Sequence, residues 1–338
     1  MNNIAVIGSG GWGLNIIKNM AALGALGMVC DINKTNFDRI EKEIVSVRAK
    51  GPSPLLTTNL KHILKNKDIN GVVVATPPIT HFKLAKKVLQ ADKNVWVEKP
   101  VTLKSKAAKA LSELSDKKNK IILVGHILLY HPAYGKLKEL IKENYLGGIY
   151  HIISKRLGFG KVRKNENVLW SLGVHDVAAA LYLTGKKTQS VSCFGLCRIQ
   201  KNVEDIVYVN IEFEDGVTAS INSSWLHPYR ERKTIIIGSE RSAVIDELDK
   251  EAPLKIYNQK VVKIPIQDLK EEYFPMNKED TEVIKFESVD MLKEECLHFI
   301  ECISSGKKPK TDIKNGEEVI KILEKCEQSM KKNGKQIK

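Results

Sequence analysis

The 338-residue sequence predicts two domains: an α/β domain on a parallel sheet, residues 1–124, then an α+β domain on an open-faced, mostly antiparallel sheet, residues 125–338. Three observations predict it. Short apolar runs alternate with helical stretches through the first third of the chain. A glycine cluster closes the first apolar run. Beyond residue 150, strand-like segments dominate. The length matches about two domains of ordinary size.

The elements follow in order. Residues 4–7, Ile-Ala-Val-Ile, form an apolar run of the kind buried on both faces of a parallel sheet. A helix over 13–23 places Leu14, Ile17 and Ala21 at helical spacing. The run 28–30 ends in Asp31, and an amphipathic helix is expected over 34–48. A third strand, 72–75, leads into Thr76-Pro77-Pro78, and a helix spans 80–90. The strand 95–97 stops at Glu98-Lys99-Pro100, and a helix over 105–117 precedes a fifth strand, 121–124. Strands alternating with helices argue a parallel sheet covered on both faces.

The second part opens with a helix over 133–143 and a turn at Gly147-Gly148. Strands are expected over 150–156, 191–196, 206–212, 217–225, 233–238 and 242–246. Asp215-Gly216 between two alternating runs is a hairpin signal. A helix over 170–183 interrupts the strands and ends at Thr184-Gly185. Residues 249–288 are polar and weakly periodic, and no element is assigned there. Two helices, 291–304 and 316–332, separated by Gly306 and Pro309, close the chain.

Composition narrows the function classes. A hydrophobic fraction of 43% excludes wholesale disorder. No apolar run reaches the ~18 residues of a membrane helix, and the N-terminus carries no secretory signal pattern. Six cysteines without a CxxC pair suggest neither a disulfide scaffold nor a metal cluster, and a reducing cytoplasm is expected. The net charge of +14 raises nucleic acid or anionic membranes as partners. However, the cations are 46 Lys against 8 Arg, dispersed along the chain. Dispersed Lys reads as a solvated surface, since Arg is expected at phosphate forks. Neither nucleic acid nor membrane is therefore expected as a partner.

Gly8-Ser9-Gly10-Gly11-Trp12-Gly13 fits G-x-G-x-x-G between a strand and a helix. Gly8 permits a tight turn, Gly10 lets a pyrophosphate approach the backbone, and Gly13 allows close packing of helix on strand. The helix N-terminus offers free N–H groups to phosphates. Asp31, 18 residues beyond Gly13, sits where an acid binds ribose hydroxyls, though a helix N-cap is the competing reading. An acid there repels a 2′-phosphate, which favours NAD over NADP, while nearby Lys34 keeps NADP open. The first domain is thus expected to be a Rossmann dinucleotide-binding domain. Gly8, Gly10, Gly11, Trp12, Gly13, Asp31, Thr76, Pro77, Glu98 and Lys99 are its expected cofactor contacts. Thr76-Pro77 would cover the nicotinamide half.

Lys99 ends a strand at the cofactor crevice, where an ammonium can hold a hydroxyl and stabilise a developing alkoxide. Glu98-Lys99-Pro100, the glycine motif and His175-Asp176 together resemble the Gfo/Idh/MocA family of oxidoreductases, over nearly the whole chain. That resemblance implies a Rossmann domain, an open-sheet second domain, and NAD(P) as hydride acceptor. Lys99 and His175 match the positions that flank the reacting carbon in that family. A His is suited to take the hydroxyl proton at neutral pH. Asp176, next to His175 on the helix, faces elsewhere and is expected to bind substrate.

A narrower resemblance runs through Val124-Gly125-His126, Leu129-Tyr130-His131-Pro132, Arg156-Leu157, Gly160-Lys161-Val162-Arg163, Glu166-Asn167 and Trp170-Ser171. It is similar to a subgroup that oxidises UDP-N-acetyl-glucosaminuronic acid at the 3-hydroxyl, for surface-polysaccharide sugars. Such a substrate carries a pyrophosphate and a carboxylate, which Lys161, Arg163 and Asn167 could contact. No metal is expected. The resemblance also implies 2-oxoglutarate as a possible recycling oxidant, and a homo-oligomer, often a tetramer. Another sugar or polyol dehydrogenase, such as an inositol dehydrogenase, or a non-catalytic NAD-binding regulator, are the alternatives.

Overall fold

A computed structural model describes residues 3–47, 53–287 and 289–338. Residue 48, the expected end of the second helix, lies outside them, as does residue 288 of the unassigned stretch. Two compact units form: Met1–Tyr130 with Asp290–Lys321, and His131–Val289 with Ile322–Lys338.

In the first unit, β1 (Asn3–Ile7), β2 (Leu26–Cys30), β3 (Leu55–Thr57), β4 (Ile69–Val74), β5 (Asn94–Glu98) and β6 (Ile122–Gly125) form one sheet among the described residues. Its order is β3-β2-β1-β4-β5-β6, and every neighbouring pair is parallel. β1 and β4 lie side by side although β2 and β3 come between them in the chain. The connections therefore reverse there, and such a switch point opens a crevice at the carboxyl ends of the strands. The helices α1 (Gly11–Ala22), α2 (Phe37–Val47), α3 (Leu60–Lys65), α4 (His81–Gln90) and α5 (Ser105–Lys118) connect the strands. β3 and α3 were not expected from the sequence. β3 has three residues with one buried, too short for a readable pattern.

The sheet also receives a helix from the far end of the chain. α8 (Met291–Ser305) buries Leu292, Cys296 and Phe299 in the same core as Ile16, Ile17 and Met20 of α1 and Trp96 of β5. Trp96 and Phe299 meet edge to face at 5.9 Å. A Cβ on Gly71 of β4 would come within 2.5 Å of Ile303 and 3.1 Å of Phe299, so that glycine admits the helix. The sequence suggested a contiguous second domain over 125–338. The first compact unit instead takes up residues 290–321, because the apolar stripe of α8 completes the hydrophobic cover of the parallel sheet.

In the second unit, β7 (Ile149–Phe159), β8 (Thr188–Leu196), β9 (Ile206–Phe213), β10 (Thr218–Ser224), β11 (Leu226–Gly238), β12 (Ser242–Asp246), β13 (Leu254–Val261) and β14 (Met276–Ile284) form the sheet β14-β13-β12-β11-β7-β10-β9-β8. β7 and β10 pair in parallel, and the remaining neighbours are antiparallel. Asp215 and Gly216, both at positive φ, turn β9 into β10. β9 alternates buried Val207, Val209 and Ile211 with exposed Tyr208 and Asn210, the mark of a sheet solvated on one face. α6 (Pro132–Lys142) and α7 (Val174–Thr184) belong to this unit, while α9 (Ile313–Lys331) runs from the first unit into it. The unassigned stretch holds β13 and β14. β14 is exposed on both faces, so no burial pattern marks it in the sequence.

Candidate active site

The glycine loop joins β1 to α1. Gly8 sits at φ +94°, and a Cβ there would lie 2.6 Å from the Ala75 carbonyl oxygen. A Cβ on Gly13 would overlap the Gly8 carbonyl. Gly10 and Gly11 are different: nothing lies within 4 Å of where their Cβ atoms would be. Two glycines are thus required by the fold, and two leave the backbone approachable. Gly10 caps α1 with no side-chain hydrogen bond, and the first turn holds no acid. The leading N–H groups of α1 therefore remain available to an anion. These residues fit the diphosphate of a dinucleotide.

Asp31 ends β2 and ties the loop in place. Its Oδ2 accepts hydrogen bonds from the Ser9 backbone N–H (2.8 Å) and hydroxyl (2.5 Å), and its Oδ1 accepts from the Asn33 N–H (2.8 Å). Burial alone would raise this carboxyl. The bonds from Ser9, Asn33 and Asn36 outweigh burial and hold it below the usual carboxylate range. Asn33, rather than Asp31, caps the following helical turn by accepting from Thr35 N–H. Ile32, beside Asp31, is 96% exposed and offers an apolar surface that sequence reasoning passed over.

Thr76 and Pro77 leave the carboxyl end of β4, and Lys99 stands half-buried at the carboxyl end of β5. The Lys99–Pro100 peptide bond is cis. The loops after β4 and β5 are bridged by His81, whose Nδ1 lies 2.8 Å from the Pro100 carbonyl and Nε2 2.7 Å from that of Thr76. The sequence reading did not single out His81. Its signal was the spacing Thr76-Pro77-Pro78-x-x-His81. Glu98 is buried, and half-exposed Trp12 favours its ionised form. His126, buried after β6, has its pKa pushed down to about 3 by burial and by the charge of Lys99, so it is neutral under physiological conditions. The glycine loop, Asp31, Thr76, Pro77, Glu98 and Lys99 therefore share one edge of the parallel sheet.

The remaining expected residues belong to the second unit. A π-helical turn, Leu169–Gly173, runs directly into α7. His175 lies half-buried in the first turn of α7. Asp176 was expected to bind substrate, but it is 0% exposed and forked on Arg156, with Nε to Oδ2 at 2.9 Å and Nη2 to Oδ1 at 3.1 Å. Arg156 also donates to both oxygens of Glu247, at 3.1 and 2.6 Å. Glu247 and Thr234 hold the Tyr134 hydroxyl, at 3.2 and 2.8 Å. Burial alone would raise Glu247; Arg156 and Tyr134 outweigh it and hold it below its ordinary value. Asp176 anchors α7 to β7, a role hidden in the sequence because its partner lies 20 residues upstream on a strand.

Asn167 was also expected at the substrate. It donates to Glu204 (2.7 Å) and accepts from the Trp170 N–H (3.2 Å), which positions the π-helical turn. Lys161 and Arg163 are exposed, and Arg163 pairs with Glu166 at 2.8 Å. Among the described residues, no group of three or more His, Cys, Asp or Glu could hold a metal ion, and no helix is long and apolar enough to cross a membrane.

Comparison with known proteins adds to this geometry. Residues 2–126 match the GFO/IDH/MocA oxidoreductase family, NAD-binding Rossmann fold, and residues 134–244 match the GFO/IDH/MocA C-terminal domain. The chain is 25% identical over 277 residues to the UDP-N-acetylglucosamine 3-dehydrogenase of Acidithiobacillus ferrooxidans, covering 81% of this chain and 83% of that protein. The solved structure of that enzyme superposes with a TM-score of 0.82, at 22% identity and 98% coverage of both chains. The scyllo-inositol 2-dehydrogenase (NAD(+)) of Bacillus subtilis is 26% identical over 324 residues, 90% of this chain and 87% of that protein. A levoglucosan dehydrogenase in complex with NADH and levoglucosan shares the fold, with a TM-score of 0.81 at 19% identity, covering 99% and 98% of the two chains.

Proposed function

The chain belongs to the GFO/IDH/MocA oxidoreductase family and carries its NAD-binding Rossmann domain, and from that premise we propose that it oxidises the 3-hydroxyl of UDP-N-acetyl-glucosaminuronic acid to the 3-keto sugar nucleotide, a step toward surface-polysaccharide sugars. Bound NAD supplies the hydride acceptor. Gly10 and Gly11 lie open to its diphosphate, Asp31 accepts from the ribose hydroxyls, and Ile32 offers its apolar surface to the adenine. Trp12, Thr76 and Pro77 flank the nicotinamide half.

The observation that carries the reading is Lys99 at the carboxyl end of β5, on the same sheet edge as the open glycines. Its ammonium donates to the reacting hydroxyl and stabilises the alkoxide that develops as the hydride leaves. His175, in the first turn of α7, accepts the hydroxyl proton. Lys161 and Arg163 meet the anionic groups of the substrate, with Arg163 exchanging Glu166 for the sugar carboxylate. The similarity to a UDP-N-acetylglucosamine 3-dehydrogenase supports a nucleotide sugar oxidised at carbon 3.

The test is NADH formation by the purified protein with UDP-N-acetyl-glucosaminuronic acid, with and without 2-oxoglutarate. UDP-N-acetylglucosamine, which lacks the carboxylate, is the comparison substrate. Turnover that prefers the uronate supports the reading, and equal turnover of the two removes the role given to Arg163. A second reading, a polyol dehydrogenase, is favoured by the similarity to the scyllo-inositol enzyme over 90% of the chain. NADH formation with free inositols and none with either nucleotide sugar would establish it instead.

A further inference from the structure

The first unit contains buried ionisable groups behind Lys99 that the proposed hydride chemistry does not use. Glu98 Oε1, both carboxyl oxygens of Glu295 and both ring nitrogens of His126 are buried without a hydrogen-bond partner among the described residues. Glu98 comes from the end of β5 and Glu295 from α8, where it is 0% exposed. The packing of Phe299 on Trp96 holds α8 against β5. On the β6 side, the Glu98 carboxyl lies directly on Gly125. A Cβ there would come within 2.6–2.8 Å of all three carboxyl atoms, so Gly125 makes the space that carboxyl fills.

The groups facing this pair come from four directions. Trp12 of α1 and Trp96 of β5 favour the ionised form of Glu98, as does the charge of Lys99 at the next position on the chain. Tyr130, after β6, and Cys296, on α8, border Glu295, while Asp290 at the start of α8 acts on Cys296. His126 is neutral. Lys99 is the cation that acts on Glu98, while Lys310 lies over the ring of Tyr130 at 5.0 Å and donates to the Leu129 carbonyl. Two carboxylates enclosed together with one cation cannot both be ionised without leaving an uncompensated buried charge.

We propose that Glu98 and Glu295 form a carboxyl pair that holds one shared proton at neutral pH, and that its single negative charge, on the Glu98 side, positions the Lys99 ammonium. Burial raises both carboxyls above their ordinary values, and the charge of Glu98 raises Glu295 further. Trp12 and Lys99 favour the ionised form of Glu98, which leaves the proton on Glu295. Glu98 and Glu295 are positioning residues, and the inference rests on the reading that makes Lys99 the group in contact with substrate.

Infrared spectroscopy of the whole protein, titrated without substrate, tests the shared proton independently of turnover. A protonated-carboxyl stretch is expected to persist at neutral pH in the wild type, to vanish in Glu295→Gln and to survive in Asp176→Asn. The wild-type titration needs no variant to fold: absence of the band at neutral pH overturns the proposal, as does its survival in Glu295→Gln. The role toward Lys99 is read from the alkaline limb of the kcat/KM profile. Glu98→Gln removes the counter-charge and is expected to move that limb down by about one pH unit. Glu295→Gln keeps the charge and leaves the limb within a few tenths of a unit. Equal shifts in the two variants would reduce the pair to a structural role. Should no nucleotide sugar be oxidised, the proposed function fails while the infrared result still stands or falls by itself.

Discussion

Two buried ionic clusters, one in each unit, are built in opposite ways. In the second, Arg156, Asp176, Glu247, Tyr134 and Thr234 form a network in which every carboxylate oxygen of Asp176 and Glu247 accepts a hydrogen bond. In the first, Glu98, Glu295 and His126 leave five side-chain atoms without a partner among the described residues. A satisfied network fixes one geometry, and here it fixes the start of α7, where His175 stands. An unsatisfied carboxyl cluster can meet its electrostatic cost by holding a proton instead. One unit thus locks a residue in place with ion pairs, and the other surrounds a lysine with groups able to change charge.

That contrast is open to attack, beginning with the residues it serves. Lys99→Ala and His175→Ala should each lower kcat/KM about 10³-fold or more, in steady-state assays, with NAD binding retained by fluorescence titration. If either variant turns over at the wild-type rate, its unit supplies no reacting group. Next in size, Arg156→Met strands two buried carboxylates and should cost about 3–5 kcal/mol of unfolding free energy in urea. Glu295→Gln should cost less than about 1 kcal/mol, because it replaces a carboxyl that is already protonated. Equal losses would erase the difference between the clusters.

The pH dependence of stability sharpens the contrast at Glu247, whose sign is opposite to that of Glu98 and Glu295, whereas burial raises Asp176 as it raises them. Glu247 lies below its ordinary value in the fold, so its contribution is present above the unfolded value near 4.5 and is lost as pH falls through the folded value. Glu98 and Glu295 are raised. Their contribution is fully present below the unfolded value and is lost as pH rises toward the folded one, with a slope of up to about 1.4 kcal/mol per pH unit for one proton. Urea denaturation between weakly acidic and neutral pH should therefore show a shallower decline in Glu295→Gln than in the wild type. The smallest effect belongs to the exposed Arg163–Glu166 pair. Arg163→Ala should change stability by less than about 1 kcal/mol while raising KM for the uronate several-fold, and an unchanged KM removes it from the substrate site.

Much of the fold was legible because burial leaves a signature. β1, β2, β4, β5 and β6 are apolar runs, and the glycine loop follows one of them. β3 escaped because a three-residue strand has no period, and β14 because a strand exposed on both faces carries no alternation. α8 was readable as a helix, but an apolar stripe does not state which sheet it covers. In the site, a strand-end lysine and open glycines announce themselves by position. Asp176 misled because a sequence displays a charge without its partner, and Arg156 sits on another element. His81 was missed for a similar reason: the Pro100 carbonyl that it holds lies on the next loop, beyond a whole helix and strand.

The return of α8 to the parallel sheet has a consequence for the chain as it leaves the ribosome. The strands and helices that hold NAD emerge first, yet Trp96, Leu123 and their neighbours lack their cover until residues 290–305 have been made. The second unit is likewise finished late, when Ile337 pairs with Val191. A nascent chain halted anywhere between the two domains presents a sticky half-sheet, the kind of surface that holding chaperones grasp. Neither unit ripens in the order in which its residues are written, and each closes only after residues beyond 290 have been made.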